Sequence, residues 1–437
     1  MGRGINLDNF YLSNQCKSVK SVVKKRSIKI ERLCETNPIS KTLKMFVISV
    51  YTMTNNNEQP TFDYSKQSQT KPISICKNWL VLYWQVRREF DNFVCSSDEG
   101  IANTRKGVTR MVVLAGIDEA GFGPILGPLV VSSSAFSLPN HFLTANLWQI
   151  LRKSVGSTRK HLAGRLLITD SKKAYSKQKG IRHLQRTVLA CLGCLGKKPA
   201  TLTELLTLLS PDCIERLNDY PWHRDIADYR LAVDASDMEI ASSVLKEDLA
   251  SNGIELLGLK SCCLDVAYYN KMVGSVKNKA SVLFTAVSQL IKNAFDNFAG
   301  PSTSSGQGDY LQVIVDRQGG RVRYRRNLQR MFPDMELKIL RESPAASSYE
   351  LRADGRQMRL HFVVGADQRF FPVSLASMVS KYIRELLVDN MNRYFTGFNP
   401  DLRPTAGYWK DGLRFIEDLK KNVPHVPFDS NQLIRCR

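Results

Sequence analysis

Met111-Val-Val-Leu-Ala-Gly-Ile117, followed at once by Asp118-Glu119-Ala-Gly121-Phe122-Gly123-Pro-Ile-Leu-Gly127-Pro, is the stretch on which the reading of this chain turns. An unbroken apolar run closed by a glycine-rich turn reads as a strand buried on both faces. Two acids stand directly at its end. A carboxylate at the terminus of a buried strand is unfavourable unless it meets a cation or a hydrogen-bond donor. The question posed by the sequence is therefore what Asp118 and Glu119 are for.

Gly127 to Phe136 predicts a second strand, and Lys177 to Leu192 a helix with Ile181, Leu184, Val188 and Cys191 on one face. Leu202–Leu208 and Ser236–Asn252 have helical patterns, Ile254–Leu259 reads as a strand, and Ala280–Phe298 as a strongly amphipathic helix. The Ser/Gly-rich residues 302–308 read as a flexible loop. Leu311–Val315 is a short apolar strand ending on Asp316, and Leu337–Leu340 and Leu360–Val364 are further strands. Val373–Phe395 is the longest predicted helix. Strands that first cluster and then alternate with helices indicate an α/β fold, a mixed sheet covered by helices.

Composition narrows the function classes. At 437 residues with 43% apolar and 24% charged residues, the chain is neither wholly disordered nor collagen-like. No apolar run approaches the roughly 18 to 20 residues of a bilayer span, so no membrane partner is expected. The formal charge of +21 calls for an anionic partner, of which nucleic acid is the commonest. The ten cysteines are scattered and the N-terminus has no apolar signal core, so the thiols are expected to be reduced and the protein cytoplasmic. Cys191-Leu-Gly-Cys194 lacks a second half-site for zinc and is expected to be a pair of buried, inert thiols. Residues 1–110 carry 18 Lys/Arg against 9 Asp/Glu and little apolar patterning, with a basic run from Lys17 to Arg32. They are expected to be a poorly ordered extension, dispensable to a functional unit that starts near Met111, although Phe46–Tyr51 and Trp79–Val86 could form short elements.

Asp316 caps one apolar strand, and Asp367 follows another through Gly365-Ala366. With Asp118 and Glu119, three strands from distant parts of the chain could bring four carboxylates to one place, since strand ends converge on the ligand-binding crevice of an open α/β sheet. Such a set of hard oxygen donors suits Mg²⁺ or Mn²⁺ and not zinc. Two divalent ions about 4 Å apart can activate water and stabilise the leaving oxygen of a phosphodiester.

Gly116 to Val131 resembles the opening motif of ribonuclease HII, the type 2 ribonuclease H family, which typically reads G-[IV]-D-E-A-G-R-G-P-x-x-G-P-V-V. The similarity continues in order with Asp170-Ser171-Lys172-Lys173, Val315-Asp316, Gly365 to Lys381 and Gly407-Tyr408. The resemblance implies a ribonuclease H-like fold, a five-stranded mixed sheet with flanking helices, over residues 111–437. It implies an insertion at 196–253, because Asp118 and Asp316 stand about twice as far apart as the family suggests, and a substrate-binding segment at 396–437. The implied activity is metal-dependent endonucleolytic hydrolysis of the RNA strand of RNA–DNA hybrids, or cleavage at ribonucleotides embedded in DNA, leaving a 3′-hydroxyl and a 5′-phosphate. Asp118, Glu119, Asp316 and Asp367 would be both catalytic and metal-binding, with two Mg²⁺ or Mn²⁺ ions. Gly121, Phe122, Gly123, Ser171, Lys172 and Tyr408 would contact substrate, and the enzyme would be a monomer.

The chain also departs from that pattern. Phe122 stands where the family has Arg, the Gly-Asp motif reads Gly365-Ala366-Asp367, and Thr405-Ala406 and Trp409 flank Gly407-Tyr408 where the family has His-Lys and Pro. Two other functions are therefore weighed: a nuclease of the same fold acting on a different nucleic acid, and a hybrid-binding protein with weakened chemistry. Retention of all four acids favours an enzyme, since carboxylates repel phosphate. None of the six histidines falls in a motif, and His361 is expected to be structural.

Overall fold

Alternate residues of the opening strand face opposite layers, which is why an uninterrupted apolar run was needed there. In the computed structural model, which describes residues 111–175, 180–232, 234–300 and 310–436, strand β1 (Met111–Ala120) sends Val112 and Leu114 into one core and Val113, Ala115 and Ile117 into the other. The remaining strands are β2 (Leu129–Pro139), β3 (Val155–Gly156), β4 (Leu166–Leu167), β5 (Glu255–Leu264), β6 (Tyr310–Asp316), β7 (Glu336–Glu342), β8 (Ala346–Ala353) and β9 (Arg356–Val363). β3 and β4 form a separate pair, while the main sheet runs β5-β2-β1-β6-β9-β8-β7. β1, β6 and β9 are mutually parallel in the middle of it, and the outer strands pair antiparallel.

The helices used below are α1 (Ser171–Ala174), α2 (Arg182–Cys194), α3 (Leu202–Leu209), α4 (Ala235–Ser251), α5 (Val266–Val276), α6 (Lys279–Phe298), α7 (Arg325–Met331), α8 (Phe371–Phe398) and α9 (Trp409–Asn422). α8 and α2 cover the Leu114 face, and α6 covers the Ile117 face. Gly116 faces the first turn of α8 so closely that an added Cβ would lie 2.3 Å from the backbone carbon of Pro372. The Ser134 hydroxyl donates to the carbonyl of Pro372 at 2.8 Å, fixing the same turn.

The mixed α/β sheet with flanking helices is present, but it has seven strands where the resemblance implied five. The two beyond β9 form a β7–β8 hairpin, in which Tyr349 and Leu351 close the α6-side core. α2 begins at Arg182 and not at Lys177, and residues 176–179 lie outside the described part. Within residues 196–253, Leu202, Leu205, Leu206 and Leu209 of α3 and Leu245 and Leu249 of α4 join the core of α2 and α8. In the C-terminal segment, Phe415, Ile416 and Leu419 of α9 pack on Val388, Met391 and Phe395 of α8. The expectations for residues 1–110 and for the loop at 302–308 lie outside the described residues. No helix among those described is long and apolar enough to cross a membrane.

Candidate active site

Strand register places the acids. Ile117 pairs with Val315 across β1 and β6, and Asp316 pairs with Val363 across β6 and β9. All three strands run the same way, so Asp118, Glu119 and Asp316 stand at the same sheet end, where the chain after β9 delivers Asp367. Asp118 and Asp367 are 6% and 9% exposed. Gly365, at φ +60, turns the chain into the single 3-10 turn Ala366–Gln368, and the amide of Ala366 donates to Asp316 Oδ1 at 2.7 Å. The Ser374 hydroxyl donates to the carbonyl of Asp367 at 2.6 Å, and that of Ser380 to the carbonyl of Asp118 at 3.0 Å. α8 thus underpins two of the four acids.

Burial and neighbouring carboxylates together disfavour ionisation of all four groups. Burial first, then the charges of Glu119, Asp316 and Asp367, push the Asp118 carboxyl well above the usual range. Burial and then Asp316 raise Glu119 to about 7, and burial and then Asp367 raise Asp316 to about 7. Asp367 is raised by burial and then by Asp170, the residue that caps α1 through the amide of Lys172. Against this, the exposed Lys172 ammonium favours the ionised forms of Glu119, Asp316 and Asp367. Lys173 adds to this at Asp367, but two ammonium groups do not offset four carboxylates. A buried acid cluster short of positive charge fits hard divalent cations as its missing partners. Among the described residues, however, no three side chains are drawn together tightly enough to ligate an ion as they stand.

A pH prediction follows. Carboxyls raised in the fold favour it while protonated, and that stability is lost as pH rises from the unfolded value near 4 through about 7. Buried His223 and His361, held neutral with values pushed down to about 3, work oppositely, favouring the fold as pH rises through about 6.5. The clean observable is therefore the effect of the ion: Mg²⁺ should raise the melting temperature more at pH 8 than at pH 5, since its ligands must be ionised. An equal Mg²⁺ effect at both pH values would rule out these acids as the ligands.

The glycine loop after Glu119 is held from three sides. Gly121 has φ +94, and a Cβ there would meet Pro128 O at 2.6 Å and Arg384 Cδ at 2.8 Å. Arg384, on α8 and 1% exposed, donates to the carbonyls of Leu126 and Ala406 at 3.3 and 2.9 Å and pairs with Glu385 at 2.9 Å. Arg435 donates to the carbonyls of Gly121 and Pro124, and its amide donates to that of Ile125 at 2.8 Å. The Gly407 carbonyl accepts from the amides of Ile125 and Leu126 at 2.8 and 3.2 Å. Tyr408, 52% exposed, follows that contact with its ring centroid 5.8 Å from the Arg384 guanidinium. Gly123 faces open space.

Phe122 is half-buried against the α6-side core, with Lys279 Nζ 5.3 Å from its ring centroid, so a positive charge stands beside a loop whose residue 122 has none. Ser171 is buried, and its hydroxyl accepts from that of Ser377 at 3.0 Å. His361 is hydrogen-bonded at both ring nitrogens, to Ser348 and Gln312, as a structural histidine should be. Cys191 and Cys194 are free thiols whose ionisation is suppressed by burial. Arg384 and Arg435 were not singled out from the sequence, whereas the α8 serines Ser374, Ser377 and Ser380 fall within the Gly365 to Lys381 similarity.

No protein-family model matches the chain, and no curated protein matches it. Among solved structures, the ribonuclease HII of Archaeoglobus fulgidus, in its complex with PCNA, is similar over 75% of this chain and 95% of its own, with 16% identity and a TM-score of 0.35. Bst-RNase HIII in complex with Mn²⁺ is similar over 78% of this chain and 76% of its own, with 11% identity and a TM-score of 0.31. The ribonuclease H2 of Pyrococcus horikoshii OT3 is similar over 74% and 92%, with 13% identity and a TM-score of 0.29. At these identities and TM-scores the likeness bears on neither activity nor substrate.

Proposed function

We propose that the chain is a divalent-metal-dependent endoribonuclease of the type 2 ribonuclease H kind, acting on RNA–DNA hybrids or on ribonucleotides embedded in DNA. The observation that supports this reading is geometric: the parallel register of β1, β6 and β9 carries Asp118, Glu119, Asp316 and Asp367, from three chain segments, to one end of the sheet, where Asp118 and Asp367 are buried. Those four residues would hold two Mg²⁺ or Mn²⁺ ions, which when bound neutralise phosphate charge and acidify water.

The protein's own groups do the rest. The Lys172 ammonium, free to reach solvent beside the acids, attracts the phosphate that four carboxylates would otherwise repel. The open space at Gly123 would let a sugar approach the backbone, and the exposed Tyr408 side chain offers a hydroxyl donor for a 2′-hydroxyl. Arg384 positions both, because it binds carbonyls on either side of the Leu126–Gly407 contact. The resemblance to type 2 ribonuclease H implies that hydrolysis would leave a 3′-hydroxyl and a 5′-phosphate. The second reading, a nuclease of the same fold with another substrate, is favoured by the uncharged Phe122.

Three labelled duplexes separate them: all-DNA, RNA–DNA hybrid, and DNA with one ribonucleotide, each with Mg²⁺ or Mn²⁺. Cleavage confined to the two containing ribose is expected. Cleavage of all-DNA at a similar rate would establish the second reading.

A further inference from the structure

The chain that leaves Asp316 is the most basic stretch near the acids. Residues 317–330, Arg-Gln-Gly-Gly-Arg-Val-Arg-Tyr-Arg-Arg-Asn-Leu-Gln-Arg, hold six arginines and no acid. Two of the six turn inward. Arg317 donates to the carbonyls of Ser343 and Pro344, and Arg321 lies 5.6 Å from the ring centroids of both Phe284 and Tyr324. The other four turn out. Arg323, with a side chain 88% exposed, reaches Glu342 only at 3.9 Å. Arg325, Arg326 and Arg330 are exposed and have no acidic partner among the described residues.

This segment is anchored and does not wander. Tyr324 is fully buried, its ring stacks on Phe362 with centroids 3.6 Å apart, and its amide donates to the Tyr349 hydroxyl at 2.8 Å. Phe362 pairs with Val315, one residue before Asp316, so α7 begins directly beside the strand ends that carry the acids. Leu328 and Phe332 hold its inner face in the α6-side core. A fixed helix that starts beside the strand ends carrying the acids thus presents exposed guanidinium groups that have no acidic partner among the described residues.

We infer that Arg323, Arg325, Arg326 and Arg330 form a phosphate-contacting track that holds the backbone of a nucleic-acid duplex flanking the cleaved position. This rests on the proposed function, but it assigns residues outside the acid cluster and outside every motif discussed above. Guanidinium groups suit the role because their planar fork meets phosphate oxygens in pairs. They would act on affinity and register, not on the bond being broken.

The test compares the full chain with the triple variant Arg325→Gln, Arg326→Gln, Arg330→Gln and with a charge-matched control, Lys197→Gln, Lys198→Gln, Lys246→Gln. Binding of an RNA–DNA hybrid and of an all-DNA duplex is measured without divalent ions from 50 to 200 mM salt, followed by cleavage of the hybrid with Mg²⁺. Three lost phosphate contacts flatten the salt dependence by about 2.7 in log–log slope, so over that range the wild type should lose roughly 40-fold more affinity than the triple variant. KM should rise in the triple variant with kcat unchanged, and the control should behave as wild type. If the wild type cleaves the hybrid but the triple variant keeps the wild-type slope and KM, or if the control flattens the slope equally, the track is wrong and the proposed function stands. If the wild type binds duplex with an arginine-dependent slope yet cleaves nothing, the track stands and the proposed function fails. Absence of duplex binding by the wild type would overturn the track.

Discussion

Asp316→Asn is expected to abolish cleavage, lowering kcat by roughly 10³-fold or more, about 4 kcal/mol of barrier, while leaving the fold and hybrid binding intact. The substitution is nearly isosteric, and the amide oxygen can keep the bond that Asp316 Oδ1 accepts from the Ala366 amide at 2.7 Å. What disappears is the charge. Asp316 is raised to about 7 by burial and by Asp367, and it in turn raises Asp118 and Glu119. Removing it relieves repulsion in the metal-free protein, so the melting temperature at pH 8 should stay the same or rise. Hybrid cleavage by the variant at near wild-type rate would remove Asp316 from the site.

The second large effect is expected at the glycine loop, where two neighbouring substitutions should part company. Gly121→Ala forces a side chain into φ +94 and against Pro128 O and the stem of Arg384, and should cost about 2–4 kcal/mol of stability. Gly123→Ala meets nothing within 4 Å and should change stability by no more than about 0.5 kcal/mol. If the loop is where a ribose is read, that open space belongs to substrate, and Gly123→Ala should lower kcat/KM on the hybrid at least tenfold despite its normal fold. Denaturant unfolding and hybrid cleavage of both variants check this. Full activity of Gly123→Ala would show that the loop does not approach the sugar.

The parts of this fold that could be read from the sequence are those in which local pattern and environment agree. β1 and β6 are covered on both sides, so they are written as apolar runs, and an acid at the end of each is conspicuous. β8 was missed because Ala-Ser-Ser-Tyr-Glu-Leu-Arg-Ala reads as polar. Its Ser348 meets His361 on β9, and its Glu350 is nearly buried between Arg352 and Arg359, so the polar face is paired within the β8–β9 hairpin, through contacts that strand periodicity does not announce. Arg384 was missed for the same reason: a charge on an apolar helix suggests a solvated face, but here two distant loops supply carbonyls to it. Arg435 has no local pattern at all, and its partners lie more than three hundred positions earlier. Pairings across such distances leave no periodicity to read.

Asp118, Glu119, Asp316 and Asp367 are expected to make one divalent-cation site. It can be titrated by equilibrium Mn²⁺ binding to the full chain at pH 7.5, with the hybrid present and the free ion followed by electron paramagnetic resonance. Saturable binding of two ions per chain is expected, with at least one lost in Asp316→Asn; no saturable binding, or the same two ions bound by the variant, would remove these acids as the site.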